Sequence, residues 1–132
     1  MKILIAEDDF TSRKILQQYL KPFGDADIAV NGKEVVSAFS KALKDQAPYE
    51  LVCLDIMMPE MDGQTALTNI RKLETNFDIN YPDSARIIMT TALSDGKNVL
   101  GAFKSGAEAY LTKPIDKIKL YEQLEKLGIK PI

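Results

Sequence analysis

Leu51-Val52-Cys53-Leu54-Asp55-Ile56-Met57-Met58-Pro59-Glu60-Met61-Asp62-Gly63 runs from four apolar residues to a carboxylate and on into a turn built on Pro59 and Gly63. Its first part is apolar at consecutive positions, as in a strand buried on both faces, and such strands belong to parallel sheets covered by helices. A carboxylate at the end of that strand is carried to the sheet edge, where the turn opens it to solvent. Asp55 is therefore the first candidate for chemistry.

Strand-like runs recur at 2–6, 26–30, 49–55, 86–91 and 109–112, alternating with segments whose apolar residues repeat at three and four positions. Ile15, Leu16, Tyr19 and Leu20 form the first helical stripe, and Val35, Val36, Phe39 and Leu43 the second. Ala66, Leu67, Ile70 and Leu73 form the third, Val99, Leu100 and Phe103 the fourth, and Ile118, Tyr121, Leu124 and Leu127 the fifth. Asn31, Asp62, Ser94 and Asp116 each precede a stripe and can accept a free backbone N–H there, while Gly106 and Gly128 suit helix ends. Strands joined by right-handed helical crossovers make one doubly wound α/β domain with a five-stranded parallel sheet. The domain should span residues 1–128, with 129–132 a fraying tail, and the polar, aperiodic segment 75–84 should be an exposed loop.

A chain of 132 residues can bury a core without disulfides. Its 45% hydrophobic and 27% charged residues exclude a disordered chain. No apolar run approaches the roughly 20 residues of a membrane helix. A net charge of −2 leaves no basic footprint for nucleic acid, so none is expected as a partner. Met1-Lys2 leads straight into strand-like sequence, so no signal peptide is expected. The chain has no His, which removes the commonest general base and His-based metal sites. The lone Cys53, inside a strand, reads as a small buried hydrophobe.

In an open parallel sheet all strands deliver their C-terminal ends to one edge, where ligands bind. Glu7 and Asp8 follow the first strand, Asp55 ends the third, Thr91 ends the fourth and Lys113 follows the fifth. Three carboxylates, a hydroxyl and an ammonium should meet there. Crowded carboxylates repel unless a cation compensates, and an all-oxygen set suits Mg²⁺, which accepts phosphate oxygens into its shell. An Asp55 oxygen could then attack phosphorus while Lys113 shares the charge.

The motifs Ile3-Leu4-Ile5-Ala6-Glu7-Asp8-Asp9, Leu54-Asp55 through Asp62-Gly63, Thr91-Ala92 and Lys113-Pro114 occur in that order. Together they resemble a response-regulator receiver domain of the CheY-like kind, from residue 1 to about residue 128. The resemblance implies a flavodoxin-like (βα)5 fold with strand order 2-1-3-4-5. It implies two-component signalling, in which Asp55 takes a phosphoryl group from a histidine kinase or histidine phosphotransfer protein. Mg²⁺ would be held by Asp55, by Asp8 directly, by Glu7 through water and by the Met57 backbone carbonyl. Thr91 would be the switch hydroxyl, Lys113 the phosphate-binding lysine, Tyr110 the rotamer-switching aromatic, and Lys113-Pro114 a cis peptide. A downstream protein target would bind the face of the fourth helix, fifth strand and fifth helix. Such a protein is cytoplasmic and catalyses only its own phosphorylation and dephosphorylation. Met57 and Leu93, two residues past the acceptor and two past the switch threonine, occupy positions that bear on phosphate lifetime in this family. Neither side chain can orient a water, so slow dephosphorylation is expected.

Taken singly, each motif has a structural reading. Asp9 suits a helix cap, Met57, Met58 and Met61 suit core or loop packing, Thr91 an ordinary strand position, Lys113-Pro114 a turn, and Tyr110 a half-buried aromatic. Three other functions compete: a pseudo-receiver that binds partners without phosphorylation, a Mg²⁺-dependent phosphohydrolase with an aspartate nucleophile, and flavodoxin-like cofactor binding, against which stand the acids after the first strand, which would repel the FMN phosphate. The second resembles haloacid dehalogenases, which carry an acid where this chain has Met57.

Overall fold

The computed structural model describes residues 1–92 and 106–132. In chain order these form β1 (Lys2–Ala6), α1 (Phe10–Leu20), a 3-10 turn (Lys21–Phe23), β2 (Asp25–Ala29), α2 (Gly32–Lys44), β3 (Leu51–Asp55), α3 (Gly63–Asn76), β4 (Arg86–Thr91), β5 (Ala109–Thr112) and a C-terminal helix (Lys117–Lys126). The strands make one sheet in the order β2-β1-β3-β4-β5, every neighbouring pair parallel, which is the expected doubly wound topology. The predicted fourth helix, with Ser94, Val99, Leu100 and Phe103, lies outside the described residues, as does Leu93.

Consecutive apolar residues in the strands serve two separate cores, because successive side chains point to opposite faces. Leu4, Val52, Leu54, Ile87 and Met89 pack against Val35 and Phe39 of α2 and Leu67 and Ile70 of α3. Ile3, Ile5, Cys53, Ile88 and Leu111 pack on the other face against Leu16 and Leu20 of α1 and Leu120 and Leu124 of the C-terminal helix. Each large side chain so buried stabilises the fold by about 1.5–3 kcal/mol before conformational entropy is counted. The helices start where their caps stand. Asp9, Asn31, Asp62 and Asp116 accept the backbone N–H of Ser12, Glu34, Thr65 and Lys119.

Several details depart from the sequence expectations. β2 begins one residue early, at Asp25, because it is an edge strand whose Asp25 and Asp27 face solvent and blur the apolar signal. β3 begins at Leu51, and Tyr49 instead packs before it, donating its hydroxyl to Asp27 Oδ2 at 2.7 Å. Ile118 is 69% exposed. The C-terminal helix is rotated so that Leu120 and Leu124 face the sheet, and this leaves Ile118 on the outer side. Residues 128–132 do not fray freely: Ile129 is buried in the core, and the Ile132 N–H donates to the Pro22 carbonyl at 2.9 Å.

The connection from α3 to β4 is tied down by one cation. Arg71 donates to Glu74 Oε1 at 2.7 Å, to the Ala85 carbonyl at 2.9 Å, to the Gly106 carbonyl at 2.6 Å and to Glu108 Oε1 at 2.9 Å. Both carboxylates also accept backbone donors, Glu74 from Ala85 at 2.7 Å and Glu108 from Ile87 at 2.6 Å. The segment expected only as an exposed polar loop is thus anchored at the N-terminal ends of β4 and β5.

Candidate functional site

At the opposite edge the hydrogen-bond ladder runs one residue past the strands. Glu7 N–H donates to the Ala29 carbonyl at 3.0 Å, Ile56 to Thr90 at 2.9 Å and Lys113 to Thr91 at 2.7 Å. The backbone that carries Glu7, Asp55 and Lys113 is therefore held by the sheet itself, and residues far apart in sequence converge. Glu7 is fully buried, Asp55 is 3% exposed and Asp8 is exposed at the mouth. One oxygen from each of the three carboxylates lies within 4.8 Å of the others.

Lys113 closes the cluster. Its ammonium is 2.9 Å from Asp55 Oδ2 and 2.5 Å from Glu7 Oε1, with only 19% of its side chain exposed. The other oxygens of these carboxylates take backbone donors: Asp55 Oδ1 from Met57 N–H at 3.2 Å and Glu7 Oε2 from Asp9 N–H at 3.1 Å. Burial pushes the Glu7 carboxyl above its ordinary value, with the Lys113 ammonium pulling the other way and Asp55 adding to the rise. Burial alone would lower Lys113, but the two carboxylates outweigh it and hold the ammonium above the ordinary lysine value. Lys113 thus acts as the counter-ion of the pocket.

Two glycines fix the loop after Asp55. A Cβ on Gly63 would lie 2.1 Å from the Asp55 carbonyl oxygen, and one on Gly32 would lie 2.2 Å from the Met61 carbonyl oxygen. The start of α3 and the start of α2 therefore press directly on the acceptor loop. The pair Asp62-Gly63 reads from sequence only as a helix start; the steric demand at Gly63 has no local signature. Met58 and Met61 pack against the core as expected, whereas Met57 is 61% exposed, because it leaves the sheet just past the buried Ile56.

Thr91 is buried at the end of β4, and Tyr110 is half-buried against the α2–α3 core. The Lys113-Pro114 peptide is cis. Cys53 is fully buried and its thiol is pushed up to about 12 by burial alone. Thr90, to which the sequence assigns no role, lies beside Asp55 in the sheet register. Its place is visible only once β3 and β4 are paired.

Residues 3–125 match the response regulator receiver domain. The chemotaxis protein CheY of Listeria monocytogenes is 33% identical over 131 residues, covering 96% of this chain and 97% of that protein. Hybrid signal transduction histidine kinase B of Dictyostelium discoideum is 37% identical over 131 residues, covering 95% of this chain but 6% of that kinase. Among solved structures, a chain of the CheX-CheY-BeF3-Mg²⁺ complex from Borrelia burgdorferi superposes with a TM-score of 0.83 at 30% identity, covering 98% of this chain and 90% of that one. The chain belongs to the response regulator receiver domain family of two-component signalling. Among the described residues, no helix is long and apolar enough to cross a membrane.

Proposed function

We propose that this receiver takes a phosphoryl group on Asp55 from the phosphohistidine of a histidine kinase or histidine phosphotransfer protein. The observation that carries the reading is the convergence of Asp55 Oδ2, the Lys113 ammonium and the Glu7–Asp8 carboxylates at one strand edge. A hard cation suits a donor set made only of oxygens, so Glu7, Asp8, Asp55 and the Met57 carbonyl would hold Mg²⁺. Bound there, Mg²⁺ supplies charge neutralisation for the incoming phosphoryl oxygens. Asp55 Oδ2 forms the new O–P bond, the donor's P–N bond breaks, and its electron pair returns to the imidazole nitrogen. Lys113 follows the transferred oxygens and Thr91 donates to one of them.

The product is a switch rather than a turnover catalyst. Phosphorylation adds charge and acceptor oxygens, which draw Thr91 inward and let Tyr110 repack, changing the surface of β5 and the C-terminal helix offered to a target protein. Residues 1–128 act as the receiver unit and 129–132 as its tail. Met57 and Leu93 supply no group to orient an attacking water, so the acyl phosphate is long-lived.

Incubation with acetyl phosphate, with and without Mg²⁺, followed by intact mass measurement tests the reading. A single phosphate gained only with Mg²⁺, and absent from Asp55→Ala, is expected. No gain in the wild-type chain would leave the pseudo-receiver as the function, and multiple turnover of small phosphate esters would revive the phosphohydrolase.

A further inference from the structure

Among the described residues, two buried side-chain polar atoms lack a hydrogen bond, Glu7 Oε1 and Thr90 Oγ1. Glu7 Oε1 has its ion pair with Lys113. Thr90, 1% exposed, has no such explanation, and a buried hydroxyl without a partner is a standing cost to the fold.

Its position suggests what the hydroxyl is for. Thr90 is registered with Asp55 on β3 and with Leu111 on β5. Because β-strand side chains alternate, Thr90 shares a face with Ile88, which packs on the α1 side together with Cys53 and Leu111. Asp55, two residues past Cys53, and Lys113, two past Leu111, continue the same face at the sheet edge. Lys113 starts beyond β5 and ends 2.9 Å from Asp55 on β3, so its side chain crosses β4, the strand between them, beside Thr90. The ammonium has three donors; it donates one to Asp55 and faces Glu7 as an ion pair, which leaves a third to place.

We infer that Thr90 is a positioning residue for Lys113: its hydroxyl oxygen accepts the ammonium's third N–H when Glu7 and Asp55 are drawn to metal and phosphoryl group. The lysine is then held over the acceptor while both resting partners are engaged elsewhere. This rests on the phospho-acceptor reading of Asp55 and adds to it a residue distinct from Thr91, whose hydroxyl is assigned there to a phosphoryl oxygen.

Thr90→Val keeps the shape and removes the hydroxyl; Thr90→Ser restores it. With acetyl phosphate at saturating Mg²⁺, Thr90→Val should lower the maximal phosphorylation rate about tenfold, and Thr90→Ser should recover it. The KM for acetyl phosphate and the Mg²⁺ dissociation constant from calorimetry should stay as in wild type, and the melting temperature should not fall. Adding Thr90→Val to Lys113→Met should cost nothing further. Wild-type rates in Thr90→Val would overturn the inference, as would an additive double variant or weakened Mg²⁺ binding. A wild-type chain that gains no phosphate would instead remove the phospho-acceptor reading, and this inference with it.

Discussion

The Lys113 ammonium sits 2.9 Å from Asp55 Oδ2 although the two residues are 58 positions apart, and the same ammonium pairs with the fully buried Glu7. In the resting chain this one cation compensates two carboxylates that share a pocket closed to most solvent. Lys113→Met leaves them uncompensated, which should cost about 3 kcal/mol of stability in the absence of divalent ions. Mg²⁺ should bind the variant more tightly than wild type and return most of that loss. Urea melts with and without Mg²⁺ check both halves, and an equal loss in the two conditions would contradict the counter-ion role.

Met57 is mostly exposed, and its N–H rests on Asp55 Oδ1. The role proposed for its side chain is to screen the acceptor from water. Met57→Asn provides an amide that can orient that water, so phosphate loss should speed up about tenfold. The measurement is decay of the phosphoprotein in Mg²⁺ after removal of acetyl phosphate; an unchanged or slower decay would refute the shielding role.

Gly63 has no room for a Cβ, because the Asp55 carbonyl lies where it would go. Gly63→Ala should lose about 3 kcal/mol by forcing the acceptor loop from α3, and Mg²⁺ affinity should fall with it. Gly128 offers the comparison. It has φ +77 with nothing within 4 Å of a built Cβ, so Gly128→Ala should cost only about 1 kcal/mol and leave Mg²⁺ binding alone. Chemical denaturation and calorimetric titration of the two variants separate these outcomes.

Cys53 gives the fold a pH dependence of its own. A free thiol titrates near 9.0, whereas burial pushes Cys53 up to about 12. The folded chain holds this proton more tightly than the unfolded one, so the contribution is fully present below about pH 9 and is lost as pH rises toward 12. Wild type should lose about 1 kcal/mol more than Cys53→Ala between pH 9 and pH 10. Parallel slopes in denaturant melts would contradict this, as would rapid alkylation of the native thiol at pH 8.

The strands were legible chiefly because β1, β3 and β4 are buried on both faces and read as consecutive apolar residues. β2 was displaced by one residue because Asp25 and Asp27 face solvent at the sheet edge. The C-terminal helix was found with most of its face: Tyr121, Leu124 and Leu127 pack on the core as expected, whereas Ile118 lies outside and Leu120, absent from the expected stripe, is buried, a choice only packing makes. At the site, Glu7, Asp8, Asp55, Thr91 and Lys113 could be listed from strand ends, since a parallel sheet brings those ends together. The Lys113–Glu7 ion pair, the closeness of Gly63 to the Asp55 carbonyl and the place of Thr90 could not. Each depends on register between strands distant in sequence, which local pattern does not carry.

Arg71 bears on how a charge placed at Asp55 is felt elsewhere. Its guanidinium grips the Ala85 and Gly106 carbonyls, and through Glu74 and Glu108 the Ala85 and Ile87 amides, all at the ends of β4 and β5 remote from Asp55. Thr91 and Thr112 end the same two strands at the acceptor edge. β4 is also laddered to β3 as far as Thr90 opposite Asp55, so a shift at the acceptor edge is carried by three neighbouring strands at once and meets, at their far end, the anchorage of Arg71.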